Sequence, residues 1–250
     1  TPGQFTHTNT GAASFNVPIH VPPGIQGLQP QLSLSYSSQN PRNGITGVGW
    51  TLTGIPKIHR CGKNRTVDGQ NGYLHFNEKD RLCLNGQRLV SRGGQDDAGY
   101  WVAGNQFSKE LEDWTRVVGT GNCDGSYCIL TAYTRGGRAM IFGGSSNSRV
   151  LATGLPGAGN RVREWLLSRV NDRHANAIQY SYTPSVDGHS ARISQISYSG
   201  RTVGFEYSQI GDSREQLIYG TGHRIAREGH LLQRIRISTA EHPNFKTYHI

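Results

Sequence analysis

Pro22-Pro23-Gly24-Ile25-Gln26-Gly27-Leu28-Gln29-Pro30-Gln31-Leu32-Ser33-Leu34-Ser35-Tyr36-Ser37-Ser38, with Gly44-Ile45-Thr46-Gly47-Val48-Gly49-Trp50-Thr51-Leu52-Thr53-Gly54-Ile55 shortly after it, decides how this chain is read. In the first stretch a Pro/Gly-rich turn leads into Leu32, Leu34 and Tyr36 on one parity and Ser33, Ser35 and Ser37 on the other. A period of two marks a strand buried on one face. In the second stretch Ile45, Val48, Trp50 and Leu52 sit among glycines, which permit tight turns and close backbone approach. The whole reads as a structural corner rather than a reactive one.

With Ile55-Pro56-Lys57-Ile58-His59-Arg60-Cys61, Arg81 to Val90 and Trp165 to Arg173, these motifs resemble the N-terminal region of the SpvB-like proteins. That family includes the B component of insecticidal toxin complexes and is related to the RHS/YD-repeat toxins. The positions that carry the resemblance are Gly27, Leu28, Pro30, Leu32, Leu34, Tyr36, Gly47, Gly49, Trp50, Leu52 and Gly54. It implies an all-β fold, an extended antiparallel strip of stacked hairpins like the wall of a toxin-complex shell. It further implies a secreted, extracellular scaffold segment without catalysis or cofactor, whose partners are downstream RHS or toxin segments or other toxin-complex subunits. In similar proteins the toxic activity, an ADP-ribosyltransferase in SpvB itself, lies in a separate C-terminal region that these residues do not contain.

Composition bounds the fold independently. The chain has 250 residues, 34% of them hydrophobic, and 33 glycines, which suits a turn-rich sheet better than a thick core. A formal charge of +9 brings nucleic acid or an anionic surface into consideration. The basic residues, among them Arg135, Arg138, Arg149, Arg161, Arg163, Arg192 and Arg201, are scattered singly, which fits a solvated surface and disfavours nucleic acid. No apolar run approaches the ~20 residues of a membrane span. Because the sequence opens at Thr1 with neither an initiator Met nor a signal pattern, and stops at Tyr248-His249-Ile250 inside an apparent strand, it is expected to be a mature or excised fragment with an unpaired edge.

Three stretches organise the chain: a signature β region over 1–142, a Gly/Ser-rich loop over 143–160 and a repetitive half over 161–250, together one continuous domain. Phe15, Val17, Ile19 and Val21 alternate, and Pro18 argues for an edge strand. Asp68 to Gly72 supplies a turn, Ser91 to Gly99 a loop and Gly136-Gly137 a hairpin turn. Strands are expected at Tyr100 to Ala103, Trp114 to Val118, Tyr127 to Tyr133 and Arg138 to Phe142. Arg161 to Val170 is compatible with a helix by periodicity, but the repeats after it favour a strand. Those repeats place two apolar residues three apart, at Leu167/Val170, Ile193/Ile196 and Leu232/Ile235, each ahead of a tyrosine-bearing strand.

Candidate chemistry is sparse. Cys61, Cys83, Cys123 and Cys128 allow two disulfides in three connectivities, and Cys123 to Cys128 spans an Asp124-Gly125 turn; their spacing does not suit zinc. The acidic groups Asp96/Asp97 and Glu110/Glu112/Asp113 read as surface charge rather than a catalytic pair. Asp172 and His174 read as a hairpin turn, in which Ala175 is poorly suited to a positive φ. His20, His59 and His75 read as surface or hydrogen-bonded core residues. The alternative to a scaffold is a stand-alone carbohydrate- or cell-surface-binding β module, in which Trp50, Trp101, Trp114 or Trp165 stacks on a host surface glycan.

Overall fold

A computed structural model describes residues 3–7, 11–93, 97–124, 127–155, 157–185, 188–217 and 224–250. The first strands are β1 (Gln4–His7), β2 (Ala13–Ile19), β3 (Leu32–Ser37), β4 (Asn43–Gly44), β5 (Gly47–Val48) and β6 (Trp50–Thr53). Next come β7 (Lys57–Cys61), the one-turn helix α1 (Arg65–Asp68), β8 (Arg81–Leu84), β9 (Gln87–Ser91), α2 (Asp97–Tyr100), β10 (Gln106–Lys109), β11 (Arg116–Asn122), β12 (Tyr127–Tyr133) and β13 (Ala139–Phe142). The rest are β14 (Arg149–Leu151), β15 (Val162–Asn171), β16 (Ala177–Pro184), β17 (Ala191–Tyr198), β18 (Arg201–Leu217), β19 (Arg224–Thr239) and β20 (Lys246–His249).

The fold is all-β, but it is not the expected open strip. Strands β7 to β13 form an antiparallel meander whose two ends are joined by one long strand, β15. Trp165 of β15 pairs with Ile58 of β7, and Val170 pairs with Met140 of β13, closing a barrel of eight strands. Closure removes both edges of that sheet. Hairpin-by-hairpin patterns carry no record of which distant strands meet, so ring closure was invisible in local periodicity.

The inward face of the barrel follows from the register. Ile58 pairs with Leu84, Arg60 with Leu82, Phe107 with Val117, Val117 with Ala132, Leu130 with Phe142 and Phe142 with Leu167. Ile58, Leu82, Leu89, Val117, Leu130, Phe142 and Trp165 are fully buried, so the barrel is a packed core and not a channel. Each such side chain contributes about 1.5–3 kcal/mol of burial.

From β15 the sheet continues as a second meander through β16, β17, β18, β19 and β20. Its apolar face, which includes Ile178, Tyr180, Ile196, Val203, Phe205 and Ile235, shares one core with Ile19, Leu28, Leu32 and Leu34. The latter belong to a separate sheet of order β1-β2-β3-β6 and its flanking turn, laid over the meander as the second layer of a sandwich. Side-chain and backbone bonds pin the layers: the Tyr198 hydroxyl donates to the Pro22 carbonyl at 2.8 Å, and the His20 amide donates to the Tyr248 hydroxyl at 2.8 Å.

The glycines of the signature stretch set the corner between the layers. Gly54 has φ +94°, and a Cβ there would stand 1.7 Å from the Gln31 carbonyl oxygen, so β6 turns away only because a side chain is absent. Gly49, at φ +78°, lets the ring of Tyr36 close against the backbone.

Several local expectations change. Residues 100–103 are not a strand: Tyr100 ends α2 and its ring is buried, so the chain turns there. The strand expected from Trp114 begins at Arg116, because Trp114 takes φ +64° at a hairpin tip and is 72% exposed. Strand β2 pairs with β1 over Ala13–Asn16 and is interior there; Pro18 lies beyond the reach of β1, so the strand is edge-like only locally. The stretch after β13 holds a 3-10 turn at Ser146–Ser148 and β14, which pairs with β15. Arg161 to Val170 contributes a strand, not a helix. Thr134 and Gly137 close the β12–β13 hairpin through a 3.0 Å backbone bond. Gly125 and Ser126 of the expected Asp-Gly turn, and Asp96, lie outside the described residues.

The three pairs of apolar residues spaced by three are all strand residues, and a β-bulge explains each. Phe142 pairs with Leu167 while Ile141 pairs with Arg169, leaving Ser168 extra; the same shift leaves Ser194 extra between Ile193 and Gln195, and Gln233 extra between Leu232 and Arg234. One added residue returns the next apolar side chain to the same face. Accordingly Leu167, Val170, Ile193, Ile196, Leu232 and Ile235 are all buried.

Candidate functional site

The charged centre of the molecule is Arg60. Its parity in β7 is that of Ile58, so the side chain enters the barrel interior rather than solvent. Its Nε donates to the Val162 carbonyl at 2.8 Å, its Nη1 to the Asn77 carbonyl at 2.9 Å and its Nη2 to the Asp124 carbonyl at 3.2 Å. The guanidinium lies 4.2 Å from the centroid of Trp101 and 5.9 Å from that of Trp165. Planar, delocalised and weakly hydrated, an arginine suits such a position better than a lysine.

Two carboxylates balance it. Asp80 stands 3.6 Å from Arg60 and accepts backbone N–H bonds from His75 and Asn77 at 2.7 and 3.1 Å. Burial pushes its carboxyl up, against the pull of the His75 amide and Arg60. Asp124 accepts from Arg60 at 3.3 Å and from Arg161 at 3.2 Å, tying the β11–β12 turn to the barrel. Beside that turn Cys123 is bonded to Cys128, and on the neighbouring strands β7 and β8 Cys61 is bonded to Cys83.

A second cluster lies on the opposite face of β8 and β9. Asp68, at the C-terminus of α1, receives Arg88 at 2.8 Å and Arg81 at 3.4 Å. Burial raises its carboxyl, but the Arg88 hydrogen bond and the Asn64 amide more than offset this and hold it below the ordinary range. The Tyr100 hydroxyl accepts from the Leu82 amide and from Arg88, and donates to the Leu89 carbonyl at 2.8 Å. Asp97 bridges Arg81 and Lys63, both at 2.8 Å. These bonds fasten the irregular segment 62–80 and α2 onto the barrel wall.

The described carboxylates considered from the sequence each have a structural role. Glu112 accepts from the Trp114 amide and Asp113 from the Thr115 amide, organising the β10–β11 tip, while Glu110 accepts from the Asn64 side chain at the start of α1. Asp172 accepts from the His174 and Asn176 amides at 2.8 and 2.9 Å, closing the β15–β16 hairpin, and the Asn176 side chain helps hold its carboxyl low. His59 is partly buried, and its imidazole is pushed down by that burial and by Lys57. Among the described residues no group of three His, Cys, Asp or Glu is placed to hold a metal ion, and no helix is long and apolar enough to cross a membrane.

The tryptophans do not assemble a stacking surface. Trp101 and Trp165 are buried against Arg60, Trp50 is half-buried between Phe15 and Tyr36, and Trp114 stands apart on its hairpin tip. Leu28, Pro30, Leu32 and Leu34 of the signature are buried, Tyr36 and Leu52 are half-buried, and Gly27, Gly47, Gly49 and Gly54 all take positive φ.

Sequence reasoning missed the buried arginines. Arg163, counted among surface charges, is 3% exposed, with Nη2 donating to the His189 carbonyl at 2.6 Å; Arg60, Arg81 and Arg88 are equally hidden. The available signal was parity: in Lys57-Ile58-His59-Arg60-Cys61 the arginine falls on the apolar side of a strand.

The architecture is found in other solved structures. TcdB2-TccC3 superposes with a TM-score of 0.70 at 17% identity over 96% of this chain, and the Tc holotoxin pore of Photorhabdus luminescens with 0.69 at 18% identity over 96%. This chain spans only 14% and 13% of those two chains. The N-terminal domain of effector protein SpvB from Salmonella typhimurium superposes with a TM-score of 0.69 at 17% identity, covering 89% of this chain and 87% of that domain. No curated protein matches the sequence. The model of the Salmonella virulence plasmid 65kDa B protein, SpvB, matches residues 7–203, and the chain belongs to that family.

Proposed function

We propose that this chain is a non-catalytic scaffold segment of a secreted, virulence-associated toxin, contributing strands to a shell or platform that carries a toxic region located elsewhere in a longer protein. The observation that carries this is the sharing of β15 between a filled, closed barrel and an open meander. The barrel anchors one end of a sheet that otherwise lengthens one hairpin at a time, each hairpin reusing the same bulge. Partners on this reading are further sheet-forming segments or other toxin-complex subunits. The engagement of Asp80, Asp97, Asp124 and Asp172 in ion pairs and turn bonds supports a structural role for each.

The test is deletion of this segment from the full-length gene product. The reading predicts loss of assembly and of delivery of the toxic region, while that region expressed separately keeps its activity. Loss of catalytic turnover in the separate region, restored by adding this chain, would overturn it.

A further inference from the structure

The sheet β1-β2-β3-β6 turns its apolar face to the meander, and its other face looks outward. The register places the outward side chains in rows: Thr6, Ser14 and Ser37; Gln4, Asn16, Ser35 and Thr51; Pro18, Ser33 and Thr53. Every side chain in these rows is uncharged, on a chain of net charge +9. Exposed sheet faces and edges are commonly protected by charge, lysine above all. Here the face carries hydroxyls and amides instead.

The face is also concave. Thr6, Ser14, Asn16, Ser35 and Thr51, together with Phe15 and Tyr36, line a hollow of about 350 Å³. That lies at the small end of the range for small-molecule sites, about 300–1,000 Å³. One cross-strand bond fixes part of its wall, Ser35 Oγ donating to Asn16 Oδ1 at 2.8 Å, and a second lies beside it on the same face, where Ser33 and Thr53 share a bond of 2.6 Å. The first engages only the oxygen of the Asn16 amide, and the hydroxyls of Thr6, Ser14, Ser37 and Thr51 have no protein partner among the described residues.

We infer that this hollow binds a neutral oligosaccharide. Hydroxyls and amides both donate and accept, as sugar hydroxyls do. With strands about 4.8 Å apart, each row offers such groups at intervals that suit hydroxyls on opposite sides of one sugar ring. The lack of a cation in the rows disfavours phosphate, sulfate and sialic acid as the recognised group. The site is distinct from the tryptophan surface considered from the sequence, and it does not depend on the scaffold reading.

The test is saturation-transfer NMR on the full chain with maltotriose, cellotriose, mannotriose and chitotriose as neutral probes and a sialylated trisaccharide as the charged one. Thr51→Lys fills the hollow from an exposed position on β6, and Thr247→Lys adds the same charge on β20. The expected result is transfer to at least one neutral probe at millimolar concentration, weakened about tenfold or more by Thr51→Lys and kept in Thr247→Lys. Absence of transfer to every neutral probe with the protein folded, transfer equal in both variants, or stronger transfer to the sialylated probe would each overturn the inference.

Discussion

The hydroxyl of Tyr182 donates to the carbonyl oxygen of Leu167, the residue before the bulge at Ser168, at 2.8 Å. Tyr207 repeats the arrangement one hairpin later, donating to the carbonyl of Ile193, the residue before the bulge at Ser194, at 2.7 Å. The bulge serines add their own bonds, Ser168 Oγ to the Ile141 carbonyl at 2.8 Å and Ser194 Oγ to the Ser181 carbonyl at 3.0 Å. A bulge frees a carbonyl from the ladder, and here a tyrosine on the next strand satisfies it.

Removing either hydroxyl while keeping the ring tests this device. Tyr182→Phe is expected to cost about 1–3 kcal/mol, because the Leu167 carbonyl is left buried, and Tyr207→Phe about 0.5–1.5 kcal/mol at its more accessible site. Urea midpoints give the order. Amide exchange around Ser168 and Ser194 localises the loss, with unchanged exchange there contradicting the assignment.

Arg60 holds the barrel interior against two carboxylates, so its loss leaves charge buried without compensation. Arg60→Met is expected to destabilise the chain by about 3–5 kcal/mol. Asp80→Asn in the Arg60→Met background should recover part of that loss, since one of the stranded charges is gone. A double-mutant cycle by chemical denaturation checks the sign, and strict additivity of the two changes would show that the pair is not coupled.

Ala175 sits at φ +64° in the hairpin closed by Asp172, a conformation that costs a residue with a Cβ about 1–2 kcal/mol. Ala175→Gly is therefore expected to raise the melting temperature, with a gain of about 1 kcal/mol after the added entropy of the unfolded glycine. Calorimetry on the two proteins settles this directly.

Glu164 gives the stability a pH dependence. Burial raises its carboxyl, but Lys57 at 2.9 Å and Arg163 at 3.2 Å more than reverse this and bring it from 4.5 to about 2. The folded value is below the unfolded one, so the contribution is fully present above about pH 4.5 and is lost as pH falls toward 2. Glu164→Gln should flatten the denaturation midpoint across that window. A midpoint that falls as steeply in the variant as in the parent would assign the acid sensitivity elsewhere.

What the sequence disclosed was local. Alternation in Leu32-Ser33-Leu34-Ser35-Tyr36 gave the half-buried strand of the covering sheet, and the apolar spacing in Leu167-Ser168-Arg169-Val170 recorded a bulge that pattern reading could register but not interpret. The glycine-rich corner marked the backbone contact at Gly54. What stayed hidden was long-range. Nothing in Val162-Arg163-Glu164-Trp165 states that Trp165 meets Ile58 across more than a hundred intervening residues. The pairing of Arg60 with Asp80 and Asp124 likewise depends on three separate segments meeting, so arginines that fill the barrel and its wall looked like ordinary surface charge. The outward hydroxyl rows were visible as serines and threonines, but their alignment across four strands depends on register.

Cryo-electron microscopy of the full-length natural gene product shows whether the meander leaving β15 is part of a larger wall. Among the described residues β20 pairs with β19 alone. On the proposed scaffold role, strands from outside these 250 residues are expected to continue the sheet along the other edge of β20 and, with it, to enclose a compartment. A full-length product in which that edge faces solvent and no enclosing wall forms would contradict it.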